Sequence, residues 1–209
     1  MKIAKHTADE ALFPYIAYIP ENCSAHPAMI VQLHGAGERG NGGEDLDLVL
    51  VNGFPKIVND SNLTDCILVM PQCPADSFWS LKIESIQAFI DQMIERYAVD
   101  TDRIYLCGIS MGAFGTWYTA VAEPEKFAAI APCCGGCLAA LADKLTMPIW
   151  AFHGLADPVV PAYHTVDMIN VLQDTNPHFR YTLYEGVGHN CWDQAFSEAL
   201  LKWLLKQHK

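Results

Sequence analysis

The stretch "CGISMGAFG" holds a serine, Ser110, with glycine two residues before it and two residues after it, at Gly108 and Gly112. A serine on a sharp turn from strand to helix needs almost no side chain at those two positions, and the turn presents its hydroxyl as a nucleophile. A hydroxyl attacks poorly unless a base removes its proton and an acid holds that base in the right tautomer. The chain supplies both downstream: Asp157 in "WAFHGLADPVVP" and His189 in "RYTLYEGVGHNCW", at spacings of 47 and 32 residues. Each interval has room for a crossover helix and a further strand.

Other acids and histidines fit less well. Asp143 precedes the penultimate predicted strand, Asp167 falls within a predicted helix, and Asp193 follows His189 so closely that it would have to fold back. His34 and His153 each precede a glycine directly after a strand, where a buried structural role is expected. His6, His26, His164, His178 and His208 read as surface residues.

Acyl transfer also needs two N–H donors for the developing oxyanion. The amide of Met111, next after the nucleophile, is one, and the glycine-rich loop "HGAGERG" is expected to give the other from Ala36, or failing that Gly37. That loop lacks the Gly-Lys-Ser/Thr ending of a phosphate cradle. Gly37, Glu38, Trp79, Cys133 and Trp192 are candidates for lining a substrate pocket, and an ion pair between Glu38 and Arg39 is expected to fix the loop.

The cysteines suggest different chemistry. "APCCGGC" contains a Cys-x-x-Cys, Cys134 to Cys137, with Cys133 beside it, which opens a reading as a dithiol redox centre or a metal site. A redox pair ordinarily opens a helix in a shorter chain, and a tetrahedral zinc site wants a second ligand pair that the sequence does not offer. The expectation is therefore free thiols, with neither metal nor organic cofactor.

The elements that must position these groups follow from pattern. Short apolar runs alternate with segments of helical spacing, which predicts parallel strands joined by crossover helices. Strands are expected at Phe13 to Ile19, Met29 to Leu33, Cys66 to Met70, Arg103 to Cys107, Phe127 to Ala131, Ile149 to Phe152 and Arg180 to Tyr184, with Lys2 to His6 as an antiparallel edge. Helices are expected at Ile83 to Tyr97, Met111 to Ala122, Tyr163 to Gln173 and Gln194 to Lys206, the last on the stripe Phe196, Ala199, Leu200, Trp203 and Leu204. In such sheets ligands bind beyond the carboxyl ends of the strands, where the loops carrying Ala36, Ser110, Asp157 and His189 all fall.

Composition narrows the field. With 209 residues, 51% hydrophobic and 18% charged, the chain is expected to form one domain over 1–209. A net charge of −11 argues against nucleic acid and anionic lipid, and favours a small-molecule substrate. No apolar run approaches the roughly 20 residues needed to cross a bilayer. Asp9 and Glu10 interrupt any leader-like stretch, so a cytoplasmic location is expected. The oligomeric state is left open.

Taken together, "LHGAGERG", "VMPQCP", "DRIYLCGISMGAFGTW", "IWAFHGLADPVVP" and "YEGVGHNCWDQAF" resemble the α/β-hydrolase superfamily. Within it they resemble single-domain carboxylesterases close to dienelactone hydrolases, often labelled predicted peptidase or phospholipase/carboxylesterase. The resemblance implies an eight-stranded, mostly parallel sheet with helices on both faces, and a Ser110, Asp157, His189 triad. It departs at Ala113, where the family usually has a second glycine. Residues 132–148 are too few for the helical cap of many lipases, so short-chain or aryl esters are the expected substrates. Peptidase or thioesterase action by the same triad is the alternative.

Overall fold

A computed structural model describes residues 1–7 and 11–209. Asp9 and Glu10, which break the N-terminal apolar stretch in the sequence, lie outside the described residues. Eight strands form one sheet in the order β1-β2-β4-β3-β5-β6-β7-β8. They are β1 Lys2–His6, β2 Tyr15–Ile19, β3 Ala28–Leu33, β4 Cys66–Pro71, β5 Ile104–Ile109, β6 Ala129–Cys133, β7 Ile149–Gly154 and β8 Phe179–Tyr184. The β1–β2 and β2–β4 pairs are antiparallel, and the remaining pairs are parallel.

The central strands β3, β4, β5 and β6 are apolar but for Gln32 of β3, because both faces are covered. Alternate residues of β3 divide between two cores: Met29, Val31 and Leu33 face one, Ala28 and Ile30 the other. The first core is roofed by α1 Ile83–Tyr97, α2 Met111–Ala122 and α3 Tyr163–Thr175, through Phe89, Trp117 and Met168 among others. The second is roofed by α4 Trp192–Ala195, α5 Glu198–Leu204 and the segment carrying Leu46, Val49 and Phe54. Between β6 and β7 the regular structure is one short 3-10 turn, Ala139–Lys144. Among the described residues no helix is long and apolar enough to cross a membrane.

Two expectations need correction. The continuous helix predicted over Gln194 to Lys206 is broken between α4 and α5. Phe196 is extended (φ −77°, ψ 90°), and Ser197 restarts the helix as an N-cap whose hydroxyl accepts the Leu200 N–H. Phe196 leaves the helical phase to pack edge-on against Phe54, ring centroids 4.9 Å apart. The break changes which side chains are buried: Leu200, Leu201 and Leu204 are, whereas Ala199 is exposed. The second correction concerns β6, which lies two residues later than its apolar run suggests. Cys133 therefore belongs to the strand, paired with Ile109, and its carbonyl accepts the Ser110 N–H at 2.8 Å.

Candidate active site

Ser110 sits between β5 and α2 with φ 54° and ψ −115°, a left-handed conformation that is strained for a residue with a side chain. The flanking glycines explain why the turn closes so tightly. A Cβ at Gly108 would lie 2.2 Å from the Gly112 carbonyl oxygen, and one at Gly112 would lie 2.0 Å from that of Leu33. Ala113, the departure from the family pattern, is accommodated because residue 135 is glycine: a Cβ there would fall 2.7 Å from the Ala113 methyl.

Three side chains from separate loops meet at this turn. The Ser110 hydroxyl donates to His189 Nε2 at 2.8 Å, and His189 Nδ1 donates to Asp157 Oδ2 at 2.6 Å. The other Asp157 oxygen accepts the N–H groups of Val159 (2.8 Å) and Val160 (2.9 Å), so the acid is pinned by its own turn. Burial pushes the Asp157 carboxyl up, but the bonds from His189, Val159 and Val160 outweigh it and hold the group below the ordinary carboxylate value. For His189, burial disfavours the imidazolium, yet its contacts with Cys134 and with Asp157 prevail and raise its pKa. Asp157 has its side chain fully buried while His189 keeps 17% exposure, so the base can reach a substrate and its orienting acid cannot.

The loop "HGAGERG" lies against the serine, since a Cβ on Gly35 would come within 3.8 Å of Ser110 Cβ. Ala36 opens the 3-10 turn Ala36–Glu38 and Met111 opens α2, so neither amide N–H has an acceptor within its own helix. Gly37 is exposed with open space around its Cα. His34 is buried under this loop, accepting the Cys73 N–H at Nε2 (2.9 Å) and donating from Nδ1 to the Gly35 carbonyl (2.6 Å). Burial lowers its pKa to about 4, so it is a neutral brace, as its place in the sequence suggests. His153 is likewise buried, against Thr165 and the Val160 carbonyl.

The pocket candidates divide. Trp192 stands beside the base, its ring perpendicular to that of His189 at 5.1 Å, and its indole N–H donates to Asn52 Oδ1 at 3.2 Å. Asn52 Nδ2 in turn donates to Glu38 Oε1 at 2.7 Å. Asn52 thus joins two of the candidates, and nothing in its sequence context distinguishes it from any loop asparagine. The expected Glu38–Arg39 ion pair is absent among the described residues; Arg39 instead donates to the carbonyls of Ala36 (2.9 Å) and Ser77 (3.2 Å).

Trp79 and Cys133 are not on the pocket wall. Both are 0% exposed. Trp79 lies under the glycine-rich loop, donating from its indole N–H to the His34 carbonyl at 3.1 Å and packing against Phe13 and Gly115. Cys137 lies apart from Cys134, its thiol facing Met168 Sδ at 3.6 Å, so the Cys-x-x-Cys does not converge. The chain turns after β6 at Cys134, with φ 61°, and Gly135 and Gly136 beyond it permit close packing against α2 and the His164 carbonyl.

Comparison with known proteins gives consistent relatives. A family model described as phospholipase/carboxylesterase matches residues 75–207. A bifunctional acetylxylan esterase/xylanase, XynS20E, from Neocallimastix patriciarum is 29% identical over 149 residues, covering 68% of this chain and 21% of that protein. A poly(3-hydroxyoctanoate) depolymerase from Pseudomonas fluorescens is 30% identical over 162 residues, covering 65% of this chain and 57% of its own length. The chain therefore spans only part of each of these relatives. Among solved structures, a thermostable esterase superposes with a TM-score of 0.81 at 28% identity, over 100% of this chain and 63% of the other. A feruloyl esterase module from Clostridium thermocellum, solved with sinapinate, has a TM-score of 0.78 at 14% identity over 99% of this chain and 88% of the other, a likeness of fold.

Proposed function

Because the chain belongs to the phospholipase/carboxylesterase family of α/β-hydrolases, we propose that it is a serine carboxylesterase acting on short-chain or aryl esters through an acyl-enzyme. The observation that carries this reading is the unbroken relay from Ser110 through His189 to Asp157, at 2.8 and 2.6 Å.

In the first half-reaction the Ser110 oxygen attacks the ester carbonyl carbon while its proton passes to His189 Nε2. Asp157 holds the Nδ1–H tautomer and stabilises the imidazolium. The tetrahedral oxyanion is held by the Ala36 and Met111 amides, the second at the N-terminus of α2 where the helix dipole adds to the donor. His189 returns its proton to the leaving alcohol, and the acyl group stays on Ser110. Water then attacks that acyl carbon with His189 as base, and collapse of the second tetrahedral intermediate releases the acid and restores the hydroxyl.

The substrate class is supported by the short 134–148 connection, which leaves no helical lid between β6 and β7, and by a relative named for removing acetyl groups. Rates on matched acetyl, long-chain acyl, thioester and anilide substrates test it. Acetyl and aryl esters are expected to turn over fastest, and an anilide hydrolysed as fast as its ester would favour the peptidase reading. The serine assignment is tested by fluorophosphonate labelling of wild type and Ser110→Ala. Labelling is expected to vanish in the variant, and its survival would overturn the assignment.

A further inference from the structure

Behind the His189 loop the thiols of Cys133, Cys134 and Cys191 form a triangle with sulfur separations of 4.0, 3.4 and 3.1 Å. All three are fully buried. Neighbouring residues on a strand point to opposite faces of the sheet, so Cys133 and Cys134 would ordinarily diverge. They converge because Cys134 takes a left-handed backbone, φ 61°, which only a minority of non-glycine residues adopt. Cys191 arrives from 57 residues away to complete the group.

A point equidistant from the three sulfurs lies about 2.1 Å from each, close to the roughly 2.3 Å of a metal–thiolate bond. An ion slightly above the plane would match that length. The other ligating groups near Cys134 are committed: Asp157 to His189 and its own turn, His153 to Thr165 and Val160. Among the described residues the set is therefore three sulfurs, with the neighbouring imidazole and carboxylate already hydrogen-bonded elsewhere, which suits a soft ion content with trigonal coordination better than a tetrahedral structural zinc.

We infer that Cys133, Cys134 and Cys191 form a binding site for a soft monovalent d10 cation, of which the cuprous ion is the type. Binding deprotonates the thiols that ligate the ion, and the released protons pass to solvent. An ion bound there ties the end of β6 to the turn carrying His189, whose carbonyl now accepts the Cys134 thiol at 3.3 Å.

The test is anaerobic titration of the fully reduced full-length chain with cuprous ion in competition with a chromophoric cuprous chelator. Wild type is expected to withdraw one ion per chain, Cys137→Ala to do the same, and Cys191→Ala and Cys133→Ala to bind at least tenfold more weakly. Copper K-edge absorption of the loaded wild type, which depends on no variant folding, should show three sulfur neighbours. Reduced wild type that leaves the ion with the chelator, unchanged binding in folded Cys191→Ala, or a nitrogen and oxygen coordination shell would each overturn the inference.

Discussion

Asp157 divides its two oxygens between unlike tasks: Oδ2 accepts His189 Nδ1 at 2.6 Å, and Oδ1 accepts the Val159 and Val160 amides of its own turn. The second pair fixes the carboxylate before the histidine meets it. Asp157→Asn can keep its amide oxygen on the Val159 and Val160 N–H groups, so the turn survives. Its NH2 then faces His189 Nδ1, which must become the acceptor, and the wrong tautomer is stabilised. Ester kcat is expected to fall by about 10⁴ with the fold intact by circular dichroism; a loss under tenfold would argue against this acid.

The pH profile follows from the direction of the His189 shift. The base must be neutral to accept the Ser110 proton, and its pKa is raised above the ordinary 6.5. Activity is thus present at alkaline pH and is lost as pH falls through that raised value. The acid limb of kcat/KM, which reports the free enzyme, is expected to have its midpoint above 6.5. A midpoint at or below that value contradicts the hydrogen-bonded arrangement.

Two glycines separate packing from function. Gly112→Ala sets a methyl 2.0 Å from the Leu33 carbonyl oxygen, and backbone cannot move aside cheaply. A loss of about 3 kcal/mol or more in urea unfolding is expected. Gly37→Ala meets nothing within 4 Å and should leave stability within about 0.5 kcal/mol of wild type. Equal effects at the two positions would refute the crowding argument.

Trp79→Phe removes the donor to the His34 carbonyl but keeps an aromatic ring in the core. The carbonyl lost to this change directly precedes the Gly35–Ala36 turn, so kcat is expected to fall more than KM rises, with about 1 kcal/mol of stability lost. A KM effect alone would return Trp79 to the pocket wall.

The catalytic candidates were legible in sequence because each follows a strand, and a strand's end is marked by an apolar run meeting glycine or aspartate. The edge strand Lys2–His6 and both boundaries of α1 were legible for the same kind of reason. The break at Phe196 was not, because a helical stripe persists through residues that tertiary packing has taken out of the helix. Trp79 shows another limit: an aromatic in a loop has the same sequence signature whether it lines a cleft or supports one from below. The thiol cluster was half visible. Cys133 and Cys134 announced themselves, but their partner is Cys191, brought in by the sheet order, and not Cys137, the near neighbour in the chain.

The most direct test of the account is a rapid quench of wild type with an activated aryl acetate, followed by intact mass measurement and peptide mapping. A burst with one acetyl group per chain, mapped to Ser110, is the predicted result. Turnover without a covalent acetyl, or an acetyl carried on a cysteine, would contradict it.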